Sequence, residues 1–597
     1  MPTAYYSGMK HKPLLYRVTP SDPAGHQLQV SLILKDPDPA GQLLSMPAWI
    51  PGSYLIRDFS RHVTQIRASA RGKTVPIRKT GSHAWRCDPA DGPLHVDYTV
   101  YAWDLSVRGA HFDETHAFFN GTSLFLAPQG RTGRPCLLEL LPPPHTRRWK
   151  VHTSLPEARN HPACARRHGF GMYLAPNYDA LIDHPVEMGT PQVARFQAHG
   201  AEHELVFTGV APNIDLPRMV RDIRRICAAQ IALFDPEHKR APFLDSSDRY
   251  VFMTMVTGDG YGGLEHRSST ALMTARADLP TVGREPQDEG YQRFLGLVSH
   301  EYFHTWHVKR IKPAAFAPYD LARENHTKLL WVFEGFTSYY DDLMLLRSGV
   351  IDEAAYFRLL AATITNVHRG PGRRLQSIAD SSFDAWTRFY KQDENSPNAI
   401  VSYYTKGALA ALGLDLLIQR ESRGRRSLDD VMRMLWRRYG RDFYRGKPHG
   451  VPEDAMAGLI HEATGVDAAP FLQQYVYGTE DLPLASLLEH QGIQLQWTAA
   501  SAIPSLDARF RASGAEVHLA SVFTGGAAHA AGLSAGDALV AIDGLRVQGT
   551  DGLNALLQAR RPGDKVRVHV FRRDELRRFD VVLGKPPADT AKLTRQV

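Results

Sequence analysis

The chain has 597 residues, of which 43% are hydrophobic and 22% are charged. This length is too great for one hydrophobic core and predicts roughly three or four domains of a soluble, globular protein. The 70 Lys and Arg residues against 63 Asp and Glu residues give a net charge of only +7. Because no long Lys/Arg run stands out, the composition gives little support to nucleic-acid binding.

Cysteine usage and the start of the chain bear on the compartment. Cys87, Cys136, Cys164 and Cys227 are scattered without the spacing of a metal site or a disulfide framework, which favours a reducing compartment. The first residues lack the apolar stretch of a secretory signal, and no run of about 18 apolar residues predicts a membrane span. We therefore expect a cytoplasmic protein without a membrane partner. A trimmed signal would change this expectation to a periplasmic or secreted protein.

In chain order, the pattern changes three times. Residues 1–190 contain short alternating segments broken by Pro and Gly, which predicts an antiparallel, all-β N-terminal domain. Residues 191–485 are mainly helical in pattern, with the strand-like stretch RYVFMTMVTG among the helices. Residues 500–585 return to short strands with one embedded helix, and we expect a linker at 480–500 before them. Residues 586–597 have the composition of a disordered tail.

The run VSHEYFHTWHVKRI contains a pattern that predicts a metal site. His300 and His304 are four residues apart, so on a helix their imidazoles point to one side and can bind one ion. Zinc accepts imidazole and carboxylate ligands, and a catalytic site has three protein ligands and a water. Glu301, beside the first histidine, can deprotonate that water. We expect one Zn²⁺ per chain here. The alternative is a helix with two surface histidines, which the apolar flanks disfavour.

Four residues are candidates for the third ligand. His307 lies about 10 Å along the helix axis from the first histidine, too far to share the ion with both histidines. Asp320 follows a Pro-containing loop, and Glu324 lies nearby in LARENH. Glu334 lies in WVFEGFTSYYDDL, an apolar helical pattern in which an unpaired carboxylate would be costly. We choose Glu334, with Glu324 as the fallback. A buried structural carboxylate is the alternative interpretation of Glu334.

The run GDGYGGLEH has two interpretations. Gly258, Gly260 and Gly263 form G-x-G-x-x-G, but no clear helix follows and no βαβ unit surrounds it, so dinucleotide binding is discounted. The other interpretation is an open edge strand whose glycines let a substrate backbone approach. Glu265 would then pair with the α-ammonium group of a substrate. An ordinary strand carboxylate is the alternative.

HEYFH followed by WVFEGFTSYY resembles the gluzincin metallopeptidases, whose third zinc ligand is a glutamate on a second helix. HEYFHTWHVKRIKP and MPAWIPGSYLIRDFSRHV are similar to the glycyl aminopeptidase family in particular. Further blocks of that family are similar to SFDAWTRFY, VSYYTKGALAALGLDLLI and FLQQYVYGTEDLPL. The resemblance covers most of the chain, including a C-terminal PDZ domain. It departs at His307, where Asn is expected, and this bears on the surroundings of the metal ligands.

The resemblance implies further roles. Gly262, Gly263 and Glu265 occupy the place of the Gly-x-Met-Glu-Asn motif with which the related alanyl aminopeptidases bind the substrate's amino terminus. Tyr404 matches the tyrosine of the Tyr-x-Lys-Gly block, which donates to the oxyanion. Physics alone does not separate it from Tyr403, and a buried structural tyrosine is the alternative for either. The family also implies peptide substrates with a free N-terminus and small first residues, Gly and Ala.

GGAAHAAGLSAGDALVAIDGLRV resembles a PDZ phrase. PDZ domains bind extended peptides by strand addition, often through a C-terminal carboxylate. The usual Gly-Leu-Gly-Phe loop is not evident here. We therefore expect the domain to bind a peptide, to bind a segment of its own chain, or only to pack against the rest of the protein.

Together these patterns predict a multidomain protein. We expect an all-β N-terminal domain, a thermolysin-like α+β catalytic domain with a helical extension, and a PDZ-like β-rich C-terminal domain. The leading hypothesis is a zinc aminopeptidase. The alternatives are a zinc endopeptidase of the same fold and a PDZ adaptor with an inactive protease domain.

Overall fold

The computed structural model describes residues 12–144, 146, 148–283, 288–446 and 448–596. These residues form two compact units. Unit one contains the chain up to Asn325 together with residues 347–350 and 435–451. Unit two contains residues 326–346 and 351–434 and the chain from Pro452 onward.

The first part of unit one is a set of β-sheets. Its elements are β1 (Leu14–Asp22), β2 (Gln27–Leu34), β3 (Leu43–Ser45), β4 (Val63–Ala70), β5 (Lys73–Val75), β6 (Ile77–Gly81), β7 (Ala84–Cys87), β8 (Leu94–Tyr101), β9 (Ala110–Phe112), β10 (His116–Phe119), β11 (Ala127–Pro128), β12 (Cys136–Leu140), β13 (Lys150–His152), β14 (Gly171–Ala175), α1 (Tyr178–Ile182) and β15 (Val186–Gly189).

These strands form three sheets around one apolar core. A seven-stranded sheet has the order β14-β12-β1-β2-β8-β4-β5, and two four-stranded sheets have the orders β13-β15-β10-β9 and β11-β3-β7-β6. The strands pair antiparallel except β1 with β12. The alternating pattern of strand β2 shows why the core forms, since every second residue from Leu28 to Leu34 is buried in it. The prediction of an all-β N-terminal domain is confirmed.

The second part of unit one combines one sheet with two helices. Its elements are β16 (Gln192–Ala198), β17 (Ala201–Thr208), α2 (Leu216–Phe234), β18 (Arg249–Thr257), β19 (Gly262–Glu265), β20 (Ser269–Ala275) and α3 (Asp288–Phe303). The sheet order is β16-β17-β18-β20-β19, so β19 lies at an edge, as predicted. Helix α3 packs on β19 and β20 and carries the HEYFH residues.

Unit two begins with helices. They are α4 (Leu330–Phe333), α5 (Gly335–Arg347), α6 (Glu353–Arg369), α7 (Ile378–Phe383), α8 (Ser396–Ala399), α9 (Thr405–Glu421), α10 (Leu428–Leu435), α11 (Met456–Thr464), α12 (Ala469–Tyr475) and α13 (Leu484–Glu489). Helix α9 meets the start of α5 through two glycines. A Cβ on Gly335 would lie 2.7 Å from the Cα of Gly407, so the two backbones touch and no larger residue fits.

The C-terminal part of unit two is mostly strands. Its elements are β21 (Ile493–Thr498), β22 (Ala508–Ser513), β23 (Glu516–Val522), α14 (Ala527–Ala531), β24 (Ala538–Ile542), β25 (Leu545–Arg546), α15 (Gly549–Gln558), β26 (Lys565–Arg572), β27 (Glu575–Val582) and β28 (Thr590–Arg595). The sheet order is β22-β23-β24-β26-β27, with β25 paired to β24. The sheet encloses a separate apolar core that includes Val517, Leu553 and Val568. The prediction of a PDZ-like, β-rich domain is confirmed.

Two expectations about the ends of this region are wrong. The expected linker at residues 480–500 contains α13 and β21, and the expected disordered tail contains β28. These two strands pair antiparallel, with Ile493 opposite Arg595. The backbone N–H of Ala591 donates to Thr365 Oγ1 of α6 at 2.9 Å, and Leu593 is buried. The tail is ordered because it completes a sheet with a strand far away in sequence.

The four cysteines are all free, and three of them are buried. Within the residues that the structure describes, no helix combines the length and the apolar character needed to cross a bilayer. The cytoplasmic location stays a prediction.

The terminal strand leads to a first test. Removing residues 589–597 deletes β28, exposes the edge of β21 and releases Leu593 from the core. We expect the midpoint of thermal unfolding to fall by at least about 2 °C. Arg595→Ala is the control, since it keeps β28 and removes the contacts of one exposed side chain with Glu353, Gln491 and Phe357. Exposed ion pairs such as the one with Glu353 contribute little to stability. An unchanged midpoint for the truncated chain would show that β28 does not contribute to stability.

Candidate metal centre and active site

The two predicted metal-binding histidines lie where α3 ends. The helix is regular to Phe303, and the N–H of His304 still donates to the carbonyl of His300 at 3.2 Å, so the last turn continues. The two imidazole centroids are 4.6 Å apart and their planes meet at 85°. His304 Nδ1 donates to the carbonyl of His307 at 2.8 Å. Since a carbonyl only accepts, the proton is on Nδ1 and Nε2 is the nitrogen available for metal binding.

Two carboxylates lie beside His304. Glu301 is on α3 and Glu265 is the last residue of β19, and both are buried. One ligand atom from each of Glu265, Glu301 and His304 lies within 4.8 Å of the others. Among the described residues, Glu265 Oε1 has no hydrogen-bond partner. Two buried carboxylates this close repel each other, and the arrangement favours a cation beside them.

Two glycines make this crowding possible. A Cβ on Gly263 of β19 would overlap Glu301 Oε1, and a Cβ on Gly52 would overlap Glu265 Oε2. Gly52 also has φ +94°, a left-handed value that other residues rarely adopt. The structure shows that Gly263 makes room for Glu301, and its predicted role of admitting a substrate backbone stays a prediction. At Gly262 a Cβ would meet only Arg108, at 3.8 Å.

One half-buried aspartate links the segments of this site. Asp183 Oδ1 accepts hydrogen bonds from Lys309 Nζ at 2.9 Å and from His266 Nδ1 at 3.0 Å. Its Oδ2 accepts from the backbone N–H of Arg267 at 3.2 Å. Lys309 follows the end of α3, and His266 follows Glu265, so Asp183 fixes both segments. Burial alone would raise the pKa of Asp183, but the Lys309 ammonium and His266 outweigh it and hold the pKa well below its usual range.

Unit two contains the remaining predicted residues. Glu334 lies between α4 and α5 and is 2% exposed. Tyr403 is fully buried, and burial, Tyr390 and the Glu334 carboxylate all raise the pKa of its hydroxyl. Tyr404 is half-buried, and its hydroxyl is 3.2 Å from the hydroxyl of Tyr390. Tyr404 is therefore the more exposed of the two adjacent tyrosines, and its role as the oxyanion donor stays a prediction.

The two other carboxylate candidates for the third ligand, Glu324 and Asp320, have surroundings that suit a metal site less well. Glu324 is exposed. Asp320 accepts from the backbone N–H of Ala322 at 3.0 Å and forms an ion pair with Arg323 at 2.6 Å. A carboxylate that is already engaged by a guanidinium, or that points to water, is a poor choice for a closed catalytic metal site.

Two further groups of histidines and carboxylates lie in unit one, and the sequence did not predict them. In the first group, Glu204 pairs with both His152 and His168. Arg195 Nε also donates to Glu204 at 2.9 Å, so a cation is already present beside this carboxylate.

In the second group, the rings of His111 and His116 stack with planes only 19° apart. Imidazole lone pairs lie in the ring plane, so stacked rings do not converge on one ion as His300 and His304 do.

The Asp183 contacts lead to a second test. Asp183→Asn leaves the buried Lys309 ammonium without its counter-charge, and breaking such a pair costs about 3–5 kcal/mol. A carboxyl whose pKa is lowered by folding stabilises the protein above the unfolded pKa, about 3.9, and loses this contribution as pH falls further. We therefore expect a large drop in the unfolding midpoint at pH 7 that shrinks below about pH 4.

The matched control is Asp179→Asn. This aspartate lies on α1, is exposed and makes no ion pair within the described residues, so the same change of charge should leave the midpoint nearly unchanged. Equal midpoints for the two variants at pH 7 would contradict the role given to Asp183.

Comparisons with known proteins bear on this arrangement. Three family models match the chain: the peptidase M61 N-terminal domain at residues 15–190, the M61 glycyl aminopeptidase at residues 293–410 and a PDZ domain at residues 504–583. A search of curated proteins found no match.

Among solved structures, one similar protein is an aminopeptidase N family protein from Idiomarina loihiensis. It is 41% identical, the match covers 98% of each chain, and the TM-score is 0.92. Another is an M1 zinc metallopeptidase from Deinococcus radiodurans, at 13% identity, covering 79% of this chain and 95% of that one, with a TM-score of 0.46. The chain therefore belongs to the M61 glycyl aminopeptidase family, carries a C-terminal PDZ domain, and is a metal-dependent aminopeptidase.

Proposed function

We propose that the protein is a zinc aminopeptidase that removes small first residues, Gly and Ala, from peptides. One Zn²⁺ per chain is bound by His300, His304 and Glu334. The observation that carries the proposal is the packing of Glu265 against Glu301 and His304, which places a buried negative charge beside the histidines of the HEYFH motif. The preference for Gly and Ala rests on the family resemblance.

The donor set suits zinc. Two imidazoles whose planes meet at 85° and a carboxylate that is almost fully buried are the ligand types of a catalytic zinc site. The hydrogen bond from His304 Nδ1 to the carbonyl of His307 supports the assignment, because ligating histidines are usually fixed in this way. When bound, zinc supplies Lewis acidity to a water and to the scissile carbonyl.

Glu301 acts as the general base and then as the general acid. Its carboxylate accepts a proton from the attacking water and gives that proton to the amide nitrogen as the C–N bond breaks, so that the leaving group departs as a neutral amine. The backbone of β19 at Gly263 packs on this carboxylate and restricts where it can lie. A base held in one position needs no reorganisation during the reaction.

Glu265 sets the cleavage position. The α-nitrogen and the carbonyl carbon of one residue are only about 2.5 Å apart. Because Glu265 lies within 4.8 Å of Glu301, it reaches the ammonium group of the same residue whose carbonyl is attacked. Pairing of that ammonium with a buried carboxylate is charge-assisted and strong. The substrate must therefore present a free amino terminus, which favours an aminopeptidase over an endopeptidase.

Tyr404 donates a hydrogen bond to the oxyanion of the tetrahedral intermediate. It lies at the start of α9, and its hydroxyl is held near that of Tyr390. Tyr403 is fully buried behind it. The partial exposure of Tyr404 supports its assignment as the donor.

The proposal is tested with Gly-anilide, Ala-anilide and a Gly-initiated peptide in free and N-acetylated forms. We expect hydrolysis of the free substrates only, one zinc per chain by metal analysis, and loss of zinc from His304→Ala and Glu334→Ala. Glu301→Gln should keep its zinc and lower kcat at least about 100-fold.

The alternatives give different results. An endopeptidase of the same fold would cut the acetylated peptide, and a PDZ adaptor with an inactive protease domain would cut neither form. Full activity of Glu301→Gln would exclude Glu301 as the base.

The contact between β19 and α3 gives a further test. Gly263→Ala adds a methyl group that overlaps Glu301 Oε1, so the base must move. We expect kcat to fall at least about tenfold while the fold is kept. The control is Gly258→Ala, since Gly258 is exposed and a Cβ there meets nothing within 4 Å. Equal kcat for the two variants would contradict the role of this glycine.

A further inference from the structure

One side chain on the helices of unit two is hydrogen-bonded to the backbone of the PDZ domain. Asn398 lies on α8 and is 8% exposed. Its Nδ2 donates to the carbonyl of Val522 at 2.9 Å, and its Oδ1 accepts from the N–H of Thr524 at 3.0 Å. In the part of the chain that the structure describes, these are the only hydrogen bonds between residues 504–583 and the helices of unit two.

The form of this contact is specific. The carbonyl of one residue and the N–H of the residue two places later are the pair that a neighbouring strand would use. The side-chain amide of Asn398 hydrogen-bonds to both of these backbone groups at the end of β23, as a neighbouring strand would. A side chain without both a donor and an acceptor cannot replace it, and the amide nitrogen also donates to Asn395 Oδ1 at 3.1 Å.

The segment that follows Asn398 leads directly to Tyr404, six residues later. This segment has little freedom. The N–H of Val401 donates to Gln376 Oε1 at 3.1 Å, and its carbonyl accepts from Ser381 Oγ at 2.5 Å. A Cβ on Gly372 would overlap the carbonyl of Ile400. A displacement at Asn398 is therefore passed along a stiff piece of backbone rather than absorbed by it.

We propose that Asn398 is a positioning residue through which the PDZ domain holds Tyr404 in place for the reaction. The inference rests on the proposed role of Tyr404 as the oxyanion donor. The PDZ domain then contributes to catalysis without touching the substrate. The end of β23, in the PDZ domain, fixes Asn398. Asn398 fixes the start of the segment 398–404, and this segment sets the position of the Tyr404 hydroxyl.

The test is a double-mutant cycle in the full-length protein, measured as kcat and KM for Gly-anilide. We expect Asn398→Ala to lower kcat about tenfold with KM unchanged, and Tyr404→Phe to lower it about 100-fold. In the Tyr404→Phe background, Asn398→Ala should cause no further loss, because the hydroxyl it positions is gone. A general weakening of the fold would instead lower activity in both backgrounds.

Two more variants keep the result interpretable. Asn398→Asp is nearly isosteric and keeps the acceptor for Thr524, but it loses the donations to Val522 and to Asn395, so it should shift kcat in the same direction while the fold is kept. Asn554→Ala is the control, since Asn554 is exposed on α15, and its kcat should match that of the unchanged protein.

Three outcomes would overturn the inference. One is an unchanged kcat in both Asn398 variants while Tyr404→Phe is impaired, which leaves the proposed function intact. A second is losses that add in the double variant. The third is full activity of Tyr404→Phe, which removes the oxyanion role of Tyr404 from the proposed function as well.

Discussion

The close packing of Glu265 against Glu301 is the constraint on which the candidate site in unit one depends. Carboxylate oxygens of these two residues and a nitrogen of His304 lie within 4.8 Å of one another, and all three side chains are buried. Burial removes the water that would screen the two negative charges. Such an arrangement is stable when a cation lies beside it and when the packing leaves the carboxylates no room to separate. The first condition underlies the role proposed for Glu265 in binding an amino terminus, and the second is met by the fold.

The packing that holds the carboxylates comes from three distant parts of the chain. Gly52, in the loop after β3, lies against Glu265, while Gly263, on the edge strand, lies against Glu301. Asp183, just after α1, bonds both Lys309 and His266. Two of these three contacts come from the N-terminal β domain. The N-terminal β domain therefore contributes contacts to the candidate site. The IPGSY run contains Gly52, whose missing side chain makes room for Glu265.

Short-range features of the site were predictable from the sequence, and long-range ones were not. The spacing of His300 and His304 fixes their relation through a single helical turn, and the glycines of GDGYGGLEH correctly predicted an edge strand. Asp183 is 126 residues from Lys309, and nothing local distinguishes it from any other aspartate. The same limit explains the tail, since the pairing of Ile493 with Arg595 joins two short strands whose own patterns are weak. Pairing partners that distant leave no local signal.

The two adjacent tyrosines, Tyr403 and Tyr404, differ in burial, and helix packing accounts for the difference. Gly335 and Gly407 let the backbones of α5 and α9 touch, and a Cβ on Gly335 would lie 3.0 Å from the carbonyl of Tyr403. This close contact buries Tyr403 completely. Tyr404, one residue later, keeps part of its ring exposed. The burial difference is a consequence of helix packing, and the Tyr-x-Lys-Gly spacing contains no information about it.

The contact at Asn398 is compatible with peptide binding by the PDZ domain. Asn398 uses the carbonyl of Val522 and the N–H of Thr524, both at the end of β23. Strand addition uses the backbone of an edge strand, and in the described part of the chain the edge strands of this sheet are β22, β27 and the short β25. The two contacts therefore engage different backbone groups. A peptide that added to β22 would lie beside the strand that pairs with β23, so its binding would act on Asn398 only through β23. Coupling of this kind requires β23 to shift as a unit, and its place within the sheet, between β22 and β24, opposes such a shift.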